Sequence, residues 1–144
     1  MLDKSLRLRV RLDYRSPARG RFFLGGRNSQ EAAEELREQK INLLRNLPIQ
    51  GVEIEDINTE LATYVLYDEA RGAEVAYAPV VLTVRAEDPE DLLRFVFWEE
   101  FRKIEVLEPA ELVFSKQQLE RFLFKVGENV REVRAVLERR LAGR

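Results

Sequence analysis

The 144-residue chain contains no cysteine and no histidine. Without cysteine there is no disulfide, no thiolate nucleophile and no sulfur-ligated metal site. Without histidine the commonest general base and the commonest transition-metal ligand are both missing. No metal and no cofactor are therefore expected. No apolar run approaches the roughly 20 residues needed to cross a bilayer. The start Met-Leu-Asp-Lys-Ser-Leu-Arg carries charges where a secretory leader has its apolar core. A cytoplasmic protein without membrane contact is the expectation.

What the chain has in excess is charge. Asp, Glu, Lys and Arg make up 35% of it, and the net charge of −2 conceals an asymmetry. Residues 1–27 carry eight basic side chains against Asp3 and Asp13, and the remainder is correspondingly acidic. A basic end joined to an acidic body either binds an anion or neutralises itself. The length suits one domain, 1–144, with 115–144 as a C-terminal helical extension.

Leu6-Arg-Leu-Arg-Val-Arg-Leu12 alternates with period two, the mark of a strand with one buried face. A turn is expected at Ser16–Gly20, and Arg21-Phe-Phe-Leu24 is either a short strand or a loop laid on the core. A helix is predicted from Asn28 to Leu47, capped by Asn28 or Ser29, with Ala33, Leu36, Leu43, Leu44 and Leu47 inward. Val52–Ile57 alternates again. Leu61–Tyr67 and Ala73–Arg85 flank Asp68-Glu-Ala-Arg-Gly72 as a long hairpin, with Pro79 predicting a bulge or irregular entry. Asp88-Pro89-Glu90-Asp91 opens a helix expected to reach Phe101. Ile104–Leu107 is a strand, and Ser115-Lys-Gln-Gln118 caps a last helix to about Leu141 that Gly127 either interrupts or does not.

This order predicts an α+β protein: a ferredoxin-like split βαβ sandwich with an extended β-hairpin and an added C-terminal helix. The first strand and the unit at 80–108 then share one sheet, with two helices on one face.

Four groups of residues are candidates for function. Arg7, Arg9 and Arg11, with Arg85, should line the open face of the sheet, where guanidinium groups can hold phosphate or carboxylate. The competing reading is neutralisation by Glu53, Glu55 and Glu105 across strands. RNA binding there lacks the outward aromatics it would use. Gly25-Gly26-Arg27-Asn28-Ser29 precedes a helix, where backbone N–H groups hold anions, although a plain turn explains it as well. Phe95 and Trp98 lie opposite Leu92, Leu93, Val96, Phe97 and Phe101 at 100° per residue, so that helix needs cover on both sides. Val130, Val133, Leu137 and Leu141 continue a stripe that a small sheet cannot cover. Either the last helix folds back at Gly127 onto Trp98, or a second subunit covers both. Tyr64, Tyr67 and Tyr77 either pack across the hairpin or line a pocket. Glu99-Glu100 and Asp88/Asp91 are accounted for by capping and solvation.

The segments Val81-Leu-Thr-Val, Asp91-Leu-Leu-Arg-Phe-Val and Ile104-Glu-Val-Leu-Glu-Pro-Ala-Glu-Leu112 together resemble the C-terminal extension domain of WYL-type bacterial transcriptional regulators. The resemblance covers about residues 76–125, and the Trp-Tyr-Leu triplet is absent. It implies a ferredoxin-type fold with ligand-response and oligomerisation roles. The expectation is thus a non-enzymatic regulatory or scaffold module that self-associates as a homodimer or meets a protein partner. The alternative is an anion- or nucleic-acid-binding module using the arginine face, and a third reading is an enzyme working through carboxylates.

Overall fold

The computed structural model describes residues 5–16 and 28–143. The expected turn after Ser16, the segment Arg21–Leu24 and the Gly25-Gly26-Arg27 part of the anion motif lie outside them. The order is β1 (Leu6–Arg15), α1 (Ser29–Asn46), β2 (Val52–Asn58), β3 (Tyr64–Asp68), β4 (Ala73–Ala86), a 3₁₀ turn (Pro89–Leu92), α2 (Leu93–Val96), β5 (Phe101–Glu108) and α3 (Lys116–Ala142). The strands form one antiparallel sheet in the order β2-β4-β1-β5, with β3 also paired to β4. This is the expected split βαβ arrangement, with β1 and β4 central and a helix added at the C-terminus.

The alternation in β1 and β4 does what period two requires. Leu8, Val10 and Leu12 meet Val84, Leu82 and Val80 across the ladder, and all six are buried on one face. Fully burying each such side chain contributes roughly 1.5–3 kcal/mol. Asn28 caps α1, its Oδ1 accepting the Glu31 N–H at 2.8 Å. Ala33 packs against Ala76 and Ala78, where small side chains bring helix and sheet close. The expected α1 stripe is only partly right. Ile41 is buried, whereas Leu43 and Leu47 are exposed. Leu36 and Leu44 pack against the core at its edge, and a cleft of about 430 Å³ at the end of α1 is lined by Leu44, Ile49, Val52 and Ile54 among others.

β4 serves two partners in succession: Ala73–Tyr77 pairs with β3, and Val81–Ala86 pairs with β2. Pro79 stands between them, within a continuous strand, paired with Asp13 on the β1 side. The Asp13 N–H donates to Glu100 O, away from β4, so no ladder bond is asked of the proline nitrogen. The gap left between β2 and β3 is bridged by Arg37 of α1, whose Nη1 donates to the carbonyls of Leu61 and Pro79 at 3.1 Å each.

The second helix is much shorter than its start signal suggests. Pro89 opens a 3₁₀ turn, the Asp88 side chain makes no capping bond, and the α-helix ends at Val96. Phe101 and Lys103 are instead taken by β1, opposite Leu12 and Arg11. An eight-residue strand in a sheet outweighs one further helical turn, a tertiary override of local propensity.

Candidate functional site

The open face of the sheet carries the arginines, and Arg7, Arg9 and Arg11 of β1 each meet an acid. Arg7 Nε donates to Glu55 Oε1 at 2.9 Å, and Arg85 Nη2 lies 3.6 Å from the other Glu55 oxygen. A register shift between Ile54 and Asp56 leaves Glu55 without a ladder partner and places it between the two guanidinium groups. Their hydrogen bond and charge hold the Glu55 carboxyl below its ordinary range and raise Arg7. Arg9 sits opposite Glu105 and reaches it at 3.4 Å. Arg11 Nε donates to Asp13 at 2.9 Å. The face that could have cradled an anion is thus laced internally by carboxylates, with Glu55 and not Glu53 reaching Arg7.

At one end of this face is a cluster that sequence reasoning missed. Asp13 is 3% exposed. It accepts from Arg11 and from the Tyr64 hydroxyl, and Arg102 Nε is 3.9 Å away. Tyr64 stacks on Tyr77 with centroids 5.1 Å apart, and the Arg102 guanidinium lies over Tyr77 at 5.8 Å. Burial, then the bond to Asp13, raises the Tyr64 phenol above its usual range and so makes it a weaker acid that keeps its proton. The cluster ties β3 to β1 and β5 and uses its polar atoms in doing so. The sequence signal was Asp13, the one acid among the outward positions of β1. Arg15 reaches Glu99 at 3.2 Å in the same region. Tyr67 is exposed at the hairpin and joins neither the stack nor the cluster.

The apolar candidates divide. Phe95 is fully buried in the core, so it is removed from the expected interface. The reason is phase: a 3₁₀ turn advances about 120° per residue and only one α-turn follows, so 100° spacing does not hold across 89–96. Leu92, Leu93 and Phe95 point inward together, while Val96 is exposed. Trp98 is half-buried and lies edge-on to Phe95 at 5.0 Å.

α3 begins at a complete capping box, with Ser115 Oγ accepting from Gln118 N–H and Gln118 Oε1 accepting from Ser115 N–H. It runs without a break through Gly127 to Ala142, about 40 Å at 1.5 Å per residue. The fold-back at Gly127 does not occur. No residue of α3 is buried. Its first half leans on the 3₁₀ turn and α2, with Arg121 Nε 3.6 Å from Glu90 and Phe122 stacked on Phe114. From Arg131 onward every described residue is exposed. A groove of about 730 Å³ opens between α3 and the α2–β5 turn, bringing Trp98, Val133 and Leu137 to one place. Val130 is half-buried beside it, and Leu141 lies beyond it at 66% exposure. Acids and bases rim the groove, among them Asp91, whose carboxyl is raised by burial and by Asp88 and Glu90.

Among the described residues, no group of three or more carboxylates is arranged to hold a metal ion, and no helix is long and apolar enough to cross a membrane. No known protein family, curated protein or solved structure matches this chain.

Proposed function

We propose that this protein is a non-enzymatic regulatory or scaffold module that acts by self-association, with α3 and the Trp98 groove as its contact surface. The observation that carries this reading is α3: a 27-residue helix with no buried residue and an apolar stripe in the open. Monomeric proteins rarely keep so large a contiguous apolar surface in water, and two-fold pairing is the commonest way to cover one. The arginine face does not support the anion-binding alternative, since Arg7, Arg9 and Arg11 already hold Glu55, Glu105 and Asp13. The resemblance to the extension domain of WYL-type regulators fits a regulatory setting.

Light scattering over a wide dilution series tests the reading. The intact chain is expected to be a dimer that dissociates on dilution. A chain ending after Val126 should stay folded, because the sheet core draws nothing from the second half of α3, and should be monomeric. An intact chain that is monomeric at every concentration overturns the proposal.

A further inference from the structure

Self-association leaves open how two copies of α3 would meet, and the order of residues along the helix discriminates between the two directions. Leu119, Leu123, Val126, Val130, Val133 and Leu137 follow one another at spacings of four and three. That is the a/d repeat of a helix pair, sustained over the whole middle of α3. Four of the six are 42–58% exposed, and Val126 and Val130 are half-buried. The seam lies to one side of the body. Its inner flank, the g column, holds Phe122, which stacks on Phe114, and Asn129 and Val136, which line the groove. Its outer flank, the e column, holds Glu120, Gly127, Arg134 and Leu141.

We infer that two copies of α3 pair antiparallel along this seam, with Glu120 of each meeting Arg134 of the other and the two Gly127 residues facing at the centre. This rests on the self-association proposed above and adds its direction. In a parallel pair the e column of one helix faces the g column of the other. The g column here carries no charge, so neither Glu120 nor Arg134 would meet an opposite charge. In an antiparallel pair e faces e. Glu120 and Arg134 lie seven residues on either side of Gly127, so the two-fold axis joins them twice. The apolar layers close in the same register: Leu119 against the second copy's Leu137, Leu123 against its Val133, and Val126 against its Val130.

Gly127 supplies an independent reason. Glycine within a helix is destabilising relative to alanine, and nothing in the single chain calls for it. Its φ is not in the left-handed region, and an added Cβ would meet only the tip of Arg131 at 3.8 Å. A second helix crossing at this point explains a residue without a side chain.

The chain has no cysteine, so single cysteines placed at Gln117 and Arg131 label uniquely. Both are exposed and occupy the same heptad column, two repeats apart. Spin labels are read at a concentration where the protein scatters light as a dimer. Antiparallel pairing separates the two copies of position 117 by about 33 Å along the axis and those of position 131 by only about 9 Å. Equal separations at both sites would mean a parallel pair, overturning this inference while leaving self-association standing. A monomer would remove both. Charge exchange is the second arm. Glu120→Arg and Arg134→Glu should each raise the dimer Kd roughly tenfold, since two symmetry-related attractions become repulsions. The double variant should return it close to the starting value. Failure of the double variant to restore pairing, with helix content unchanged, overturns the Glu120–Arg134 match.

Discussion

Replacing Arg37 with methionine keeps an apolar stem of similar reach and deletes both hydrogen bonds into the gap between β2 and β3. The two lost bonds are not equivalent. Leu61 is half-exposed, so its carbonyl can turn to water at little cost. Pro79 is among the most deeply buried residues of the chain. Its carbonyl, 3.1 Å from Arg37 Nη1, would be left in a dry site. An unsatisfied buried carbonyl costs about 1–3 kcal/mol, and a bond from a charged donor is worth about 1.5–3 kcal/mol. Arg37 is itself half-exposed, which favours the lower ends. The expected loss is therefore about 2 kcal/mol, nearly all of it from Pro79. Equilibrium unfolding in urea at one fixed protein concentration measures it, as a lower midpoint with an unchanged slope. Arg37→Lys should recover about half, since an ammonium lacks the planar fork. A loss below about 0.5 kcal/mol for Arg37→Met would refute the view that this side chain closes the sheet.

Two more outcomes are expected. Phe95→Ala should cost about 3–5 kcal/mol in the same assay, as befits a fully buried aromatic, and an effect below about 1 kcal/mol would show that the residue faces out after all. Stability should be flat from about pH 6 to pH 9, because the chain has no histidine. Burial raises Tyr14 and Tyr64 in the folded state, so their contribution is complete below about pH 10 and is lost as pH climbs beyond it. Glu55 is lowered by Arg7, so its contribution is lost as pH falls below the ordinary carboxylate range. Thermal midpoints from about pH 2 to about pH 11 check both limbs. Tyr14→Phe should blunt the alkaline one, and a step between pH 6 and pH 8 would contradict the assignment.

Elements whose instructions are local were readable in the residues. β1 announces itself by period two, α1 and α3 by their capping residues, and the hairpin by its turn. Since β1 alternates so strictly, the acids that meet its arginines could be nominated before any pairing was visible, and Glu55 and Glu105 were among them. What escaped depends on which distant segment claims a residue. The Asp88-Pro89 start signal is genuine, yet β1 takes Phe101 and Lys103 and the helix stops a turn after it begins. Phe95 moved from surface to core because that helix changes type midway. Arg37 looks like any charge on a solvated face until Pro79 and Leu61 arrive from 42 and 24 residues further along. Asp13 looks like a stray acid until Tyr64 is laid against it.

The central ladder also fixes when this chain can fold as it is made. β1 leaves the ribosome first, but its partner on one side runs from Tyr77 to Ala86 and on the other from Phe101 to Glu108. Until then its row of Leu8, Val10 and Leu12 has no neighbouring strand, and a nascent chain ending before β4 has α1 and three strands, β1, β2 and β3, none of which can pair without β4 or β5. At synthesis rates of about 5–20 residues per second, that interval lasts several seconds. The arginines alternating with those apolar positions repel a second nascent chain during that time, before β4 and β5 bring Glu55 and Glu105 against them. The same side chains that lace the finished sheet would thus act earlier as guards against premature strand pairing.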